Sequence, residues 1–281
     1  FGIGSTEMLG VVVTGEIWVR VPRTLRMWWD AALPAGLTAK DMVLHMTGRF
    51  GMNGGDYQAV EFCGPGVEAL SMQERMTLSN MSAEMGAQVG LIAPDETTRQ
   101  WLRAAGAEVG DVSHWRTDAD AGAEVERHEF DAGMLAPQVA APHSPATAHE
   151  VAQHSSTKVD VAYIGACTGA KLDDLRAAAQ VLRGQRVASG VRLMVAPASL
   201  IDQEAAQREG VLQVLQAAGA ELLPTACGAC AGYGGTLGDD TTVISSTARN
   251  FKGRMGSPTA RVYLASPYTV AASALRGVIT D

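Results

Sequence analysis

The feature that most constrains this chain is a regular exchange of short apolar runs for helix-length amphipathic segments, broken once by a stretch rich in proline and histidine. Leu25, Met27, Trp29 and Ala31 alternate like a strand with one buried face. In "LTAKDMVLHMTG", Thr38 as N-cap with Asp41 three residues later is a variant capping box and predicts a helix to about Arg49. "DYQAVEF" reads as a strand, "SMQERMTLSNMSAEMGA" as a helix, "VGLIA" as a buried strand, and Asp95 caps a helix through Ala105. From His128 to Thr157 the pattern stops, and Pro137, Pro142, Pro145, His143, His149 and His154 mark a linker or surface crossing. The alternation then resumes. "KVDVAYIGA" is a strand, and "LDDLRAAAQVLRG" is a helix with Leu172, Leu175, Ala179 and Leu182 on one face. "VRLMVAP" is a strand, a helix runs from Ser199 to about Ala218, and strands follow at "AELLP", "TVISS" and "ARVYLAS" before a closing helix.

Such alternation specifies α/β layers, and 281 residues suffice for two moderate domains. The expected division is a leading segment 1–22 holding a short buried helix from Ser5 through Val13, an α/β domain at 23–127, a crossing at 128–157, and a second α/β domain at 158–281. The 22 basic and 30 acidic residues leave a net charge of −8, which argues against nucleic acid as a partner. No apolar run reaches the roughly 18–20 residues of a membrane span, and the start carries no signal-peptide pattern. The expectation is a cytoplasmic protein without membrane partners.

Four cysteines, Cys63, Cys167, Cys227 and Cys230, are too few for a disulfide framework in a chain of this length, and reduced thiols are expected. Cys227 and Cys230 form a C-x-x-C in the glycine-rich "TACGACAGYGG". Cys167 ends the strand of "VDVAYIGA" and Cys227 follows the strand of "AELLP", so the three can meet where α/β sheets bind ligands, at the carboxyl ends of their strands. Three thiols leave several chemistries open. A structural zinc ion wants four ligands, a catalytic one three plus water, and a fully ligated [4Fe–4S] cluster four cysteines, so three leave one iron open. A metal-free redox pair also fits a lone C-x-x-C. Cys63 reads as a core thiol. His143, His149 and His154 fit no zinc spacing, and "GMNGGD" and "GYGGTLGDD" match no phosphate-cradle motif and read as turns. Asp173 and Asp174 suit the dipole of the helix they begin.

Taken in order, "CTGAKLDDL", "CGACAGYGG" and "STARNFKGRMGSP" resemble the aconitase family, most nearly its isopropylmalate dehydratase and homoaconitase large subunits. "GSTEMLGVVVTGEIW", "GLTAKDMVLHMTG", "ALSMQERMTLSNMSAEMGAQVGLIAPDETT" and "APHSP" extend the resemblance over essentially the whole chain. It implies aconitase-like three-layer α/β/α domains with the site at the carboxyl ends of strands. It implies a [4Fe–4S] cluster on Cys167, Cys227 and Cys230 with its fourth iron open. The implied activity is a hydro-lyase moving a hydroxyl between adjacent carbons of a hydroxy di- or tricarboxylic acid, as in leucine biosynthesis. Asn80 and Glu84, four apart in "NMSAE", are implied to face the cluster, and Arg249 and Arg254 to hold substrate carboxylates. By the same resemblance, segment 1–22 is the remnant of a first family domain whose earlier part is absent, and a small swivel-domain subunit is the expected partner. The other readings are a truncated, non-catalytic iron–sulfur or assembly protein and, against the acidic charge, RNA binding. Three positions depart from the family pattern. Gly169 replaces a frequent asparagine, Ala248 replaces an asparagine before the first arginine, and Lys171 occupies a position that varies between substrate classes.

Overall fold

The computed structural model describes residues 3–116, 123, 125–233 and 237–281, so part of "GYGGTLGDD" lies outside the described residues. α1 (Ser5–Thr14) leads to β1 (Thr24–Trp29), α2 (Ala39–Phe50), β2 (Ala59–Cys63), the one-turn α3 (Pro65–Glu68), α4 (Met72–Met81), β3 (Val89–Ile92), α5 (Glu96–Ala104) and β4 (Val125–Phe130). Then come β5 (Gln138–Ala140), β6 (Ala148–Glu150), β7 (Val161–Gly165), α6 (Leu172–Leu182), β8 (Arg192–Ala196), α7 (Leu200–Arg208) and α8 (Val211–Ala218). β9 (Glu221–Leu222), β10 (Thr242–Ser245), β11 (Arg261–Ala265) and α9 (Pro267–Arg276) complete the chain. The strands form two sheets, one ordered β3-β2-β1-β4 and one ordered β6-β5-β11-β10-β7-β8-β9. All pairings are parallel except those of β5 and β6 at one edge, so the α/β architecture is as expected.

The first sheet is built on the alternation in β1. Leu25, Met27 and Trp29 are almost fully buried against Met42 and Met46 of α2 and Leu78 and Met81 of α4. Trp29 also stacks on Phe130 of β4, ring centroids 4.6 Å apart. The opposite face is polar: Arg26 pairs with Glu61 at 2.7 Å and Arg127 lies 4.6 Å over the Trp28 ring. In the second sheet Ile164, Val195 and Ile244 pack under α6, α8 and α9. Its other face buries Tyr163, Met194 and Val262 beneath the segments that follow β9 and β10.

α2 joins the two sheets, because its core continues onto Ala140, Ala148 and Leu264 of the second. Gly48 permits the approach, since a methyl there would lie 2.7 Å from the Ala148 carbonyl. Asp41 does more than cap this helix. Fully buried, it accepts the Thr38 N–H at 2.9 Å and the Gln138 N–H at 3.0 Å, which fastens α2 to β5. Burial pushes its pKa up to about 6 against those hydrogen bonds, so the native state holds this proton better than the unfolded chain does. The stability tied to Asp41 is therefore fully present below about pH 4 and lost as pH rises through about 6. Urea titrations should show wild type losing on the order of 2–3 kcal/mol relative to Asp41→Asn across that window. A pH-independent difference would refute the assignment.

Several sequence expectations change. The leading helix forms as α1, but none of its residues is buried and Val12 and Val13 are about three-quarters exposed, since no described segment packs over it. The "VGLIA" strand is an edge strand, with Leu91 half exposed. The long helix after Ser199 is two, because Gly210 adopts a left-handed conformation (φ 74°) between α7 and α8. The 128–157 stretch is not a bare crossing: it finishes β4 and supplies β5 and β6, whose antiparallel pairing extends the second sheet. α4 tightens into a 3₁₀ turn over Ser82–Met85 before left-handed Gly86.

Candidate active site

From β7 to β11 the second sheet runs parallel, so the carboxyl ends of these strands share one edge. β8 and β9 lie on one side of β7, and β10 lies on the other. The order therefore reverses between β7 and β10, the crevice where such sheets hold ligands. Cys167 follows β7, Arg249 follows β10, and Cys227 and Cys230 follow β9 on a 3₁₀ turn over Gly228–Ala231. All four cysteines are free.

The turn into Cys167 is strained. Ala166 has φ 65°, a left-handed conformation costing a residue with a Cβ about 1–2 kcal/mol, and Cys167 emerges exposed beyond it. Ser246, at the end of β10, holds this turn. Its Oγ accepts the Gly165 N–H at 3.0 Å and donates to the Gly169 carbonyl at 2.8 Å. Gly169 is required by that closeness, because a Cβ would overlap the Ser246 carbonyl and side chain. The departure from asparagine noted in the sequence thus has a steric cause in this chain.

Cys230 lies within electrostatic reach of the other two thiols. Burial pushes the Cys230 thiol up; the Arg254 guanidinium beside it pulls it down, while Cys167 and Cys227 add to the upward push. Tyr163, reaching from β7, has its phenol pushed up to about 12, first by burial and then by Cys230 and Cys227. Asn80, in the last turn of α4, points its Nδ2 at the Cys167 sulfur, 3.8 Å away. Glu84 is buried in the following turn and accepts a 2.6 Å hydrogen bond from Arg249 Nε. The two arginines divide: Arg249 serves Glu84, whereas Arg254 lies beside Cys230 with its Nε buried and unpartnered among the described residues. Asn80, Glu84, Arg249, Arg254 and the three cysteines are thus gathered at one edge. Cys63 is not, lying half-buried at the end of β2 with its thiol directed to the Met27 carbonyl.

Two buried cations lie beneath this edge: Lys171, which the sequence marked only as a position that varies between substrate classes, and Lys40, which sequence reasoning missed. Lys40 of α2 donates to the carbonyls of Ser246 and Thr247, and Lys171 donates to Thr77 and to the Cys167 carbonyl. No sequence signal marks Lys40: its burial follows from the packing of α2, whose positions from Ala39 to Leu44 are all buried. Among the described residues no three His, Cys, Asp or Glu side chains are grouped to hold a single metal ion, and His154 packs on Tyr263 instead. A cavity of about 680 Å³ lined by Leu33, Leu70, Glu74, Gln180 and Tyr268 lies between the loop before α2 and helices α6 and α9, and contains none of the thiols. Among the described residues no helix is long and apolar enough to cross a membrane.

Fold and site together define a parallel-sheet α/β protein that delivers three thiols, an amide, a carboxylate and two guanidinium groups to one switch-point crevice. The model of the aconitase family (aconitate hydratase) matches residues 1–158 and 149–277. The 3-isopropylmalate dehydratase large subunit 2 of Archaeoglobus fulgidus is 42% identical over 281 residues, covering 100% of this chain and 67% of its own length. The large subunit 1 of the same enzyme from Methanopyrus kandleri is 44% identical over 282 residues, covering 100% and 66%. A probable methanogen homoaconitase large subunit from Methanosarcina mazei is 41% identical over 281 residues, covering 100% and 70%. The chain belongs to the aconitase family, as its motifs implied, and spans about two thirds of the length of the first two of these relatives.

Proposed function

We propose that this chain is the thiol-bearing large subunit of a hydro-lyase of the isopropylmalate dehydratase or homoaconitase type, carrying a [4Fe–4S] cluster on Cys167, Cys227 and Cys230. The observation that carries the reading is the position of Cys167 after β7 and of Cys227 and Cys230 after β9, on one edge of the parallel sheet, with Cys63 away in the first sheet. That donor set fits the group: soft thiolates suit iron, Arg254 lies beside Cys230, and Lys40 is within electrostatic reach of Cys167 and Cys230. The fourth iron of the bound cluster supplies Lewis acidity toward a hydroxyl that otherwise leaves poorly.

The remaining roles belong to side chains. The Asn80 amide orients a hydroxyl or water beside Cys167. Glu84 holds a proton at its carboxylate as the hydroxyl departs or returns. Arg249 and Arg254 have the planar fork that grips a carboxylate with two hydrogen bonds. Because Arg249 is engaged with Glu84, an arriving substrate carboxylate draws the guanidinium away and releases Glu84 for proton transfer. Isopropylmalate and homocitrate are the substrates of choice. The partner is a small subunit, in keeping with the relatives named as large subunits.

The test is anaerobic reconstitution with iron and sulfide, then Mössbauer spectroscopy with and without 3-isopropylmalate or homocitrate. One iron site of four changing on addition of either acid supports the reading. A cluster that no acid perturbs, and no turnover with a small subunit, would leave a non-catalytic iron–sulfur relative in its place. Glu84→Gln should keep the cluster and lower kcat by about 10²–10⁴-fold, the usual contribution of a positioned general acid or base. An unchanged kcat removes Glu84 from the chemistry.

A further inference from the structure

We propose that Lys40 and Lys171 are positioning residues, two buried ammonium groups that tie helices of the first sheet to loops of the second and so set the spacing among Cys167, Asn80 and Arg249. Lys40 is 1% exposed and extends from the first turn of α2. Its Nζ donates to the Ser246 carbonyl at 2.8 Å and the Thr247 carbonyl at 2.6 Å, and reaches the Thr168 hydroxyl at 3.5 Å. One side chain therefore holds both the end of β10, just ahead of Arg249, and the residue after Cys167. Lys171 is 7% exposed and precedes α6. Its Nζ donates to Thr77 Oγ1 at 2.7 Å and the Cys167 carbonyl at 3.1 Å, with the Asp174 carboxylate at 3.3 Å. Thr77 lies one turn before Asn80 on α4, so Lys171 links the helix bearing the amide to the backbone of the thiol it faces.

Burying an ammonium costs several kcal/mol, and an apolar side chain of like volume usually serves stability as well or better. What an apolar side chain cannot do is direct three donors at acceptors on separate segments. The carbonyls of Cys167, Ser246 and Thr247 lie beyond the strand ends, outside the sheet ladder that would otherwise order them. Ser246 and Gly169 already fasten the two loops to each other. The lysines add links from those loops to α2 and α4, through backbone carbonyls, beside the side-chain contacts of Asn80 with Cys167 and of Arg249 with Glu84.

The inference uses the site reading above only to say which thiols matter, and it is tested on the metal-free full chain. Alkylation of Cys167 and Cys227 is followed by mass spectrometry, beside thermal unfolding. Lys171→Met should speed alkylation of Cys167 about fivefold relative to Cys227, the local opening expected when a hydrogen-bond link is lost, and Lys171→Arg should restore much of the difference. Equal acceleration of both thiols, or of neither, overturns the proposal. If Lys171→Met does not fold, Thr77→Val removes one acceptor and leaves the charge in place. The Cys167 to Cys227 ratio should then rise about twofold, and an unchanged ratio again overturns it. For Lys40→Met, hydrogen exchange should quicken about fivefold in residues 246–250 and stay unchanged in β8; uniform quickening counts against positioning. Selective changes in a chain that then fails to assemble a cluster would overturn the proposed function and leave this inference standing. Uniform changes in a chain that assembles one would do the reverse.

Discussion

Cys227→Ser, taken through anaerobic reconstitution with iron and sulfide, fails to develop the broad visible absorbance of a thiolate-bound iron–sulfur cluster. With the small subunit added, turnover falls by about 10³-fold or more, the loss of about 4 kcal/mol of charge stabilisation that an open metal supplies. Cys227 is the informative thiol to remove. It lies exposed on a loop in no core cluster, so its loss removes a thiol without opening a cavity. Cys230 is buried, and replacing it would confound ligation with packing. Cys63→Ser is the control, because that thiol lies in the first sheet against the Met27 carbonyl. Equal iron content and equal turnover in Cys227→Ser and Cys63→Ser would remove the three-thiol assignment.

Gly169→Asn destabilises the chain by about 2–3 kcal/mol, as inserting atoms into a closed space does, and it prevents cluster assembly. Restoring the asparagine frequent in the family does not help here, because Ser246 occupies the volume a Cβ would take. Ser246 cannot withdraw freely. Its Oγ bridges Gly165 and Gly169, and its carbonyl is held by Lys40. Equilibrium unfolding in urea measures the stability change, and iron content after reconstitution measures the site. A Gly169→Asn chain with wild-type stability and full iron would show that the turn after β7 is looser than its contacts require.

Most of the layer order follows from local patterning. Strand β1 forms where Leu25, Met27 and Trp29 alternate, and α2 begins at Thr38 with Asp41 closing the capping box. These are near-neighbour effects, carried by side-chain periodicity and by backbone donors a few residues away. Expectations failed where the deciding contact is distant. β5 and β6 are three residues each, too short to show a period, and exist because β11 offers an edge to pair with. The exposure of α1 depends on what packs over it, which its own apolar sequence cannot state.

The site divides the same way. The sequence by itself determined which side chains are available and where along the chain they fall: three cysteines placed after strands, a C-x-x-C in a glycine-rich turn, and two arginines in one loop, a donor set whose spacing alone left zinc, an iron–sulfur cluster and a redox pair open. Only the tertiary structure decided how these groups are arranged. It put Cys167 and Arg249 at the β7–β10 reversal, paired Arg249 with Glu84 across 165 residues of chain, set Arg254 beside Cys230, and sent Lys40 across to carbonyls more than 200 positions away. Such pairings form when two sheets pack and buried donors must find acceptors, a requirement imposed by burial and not by sequence separation.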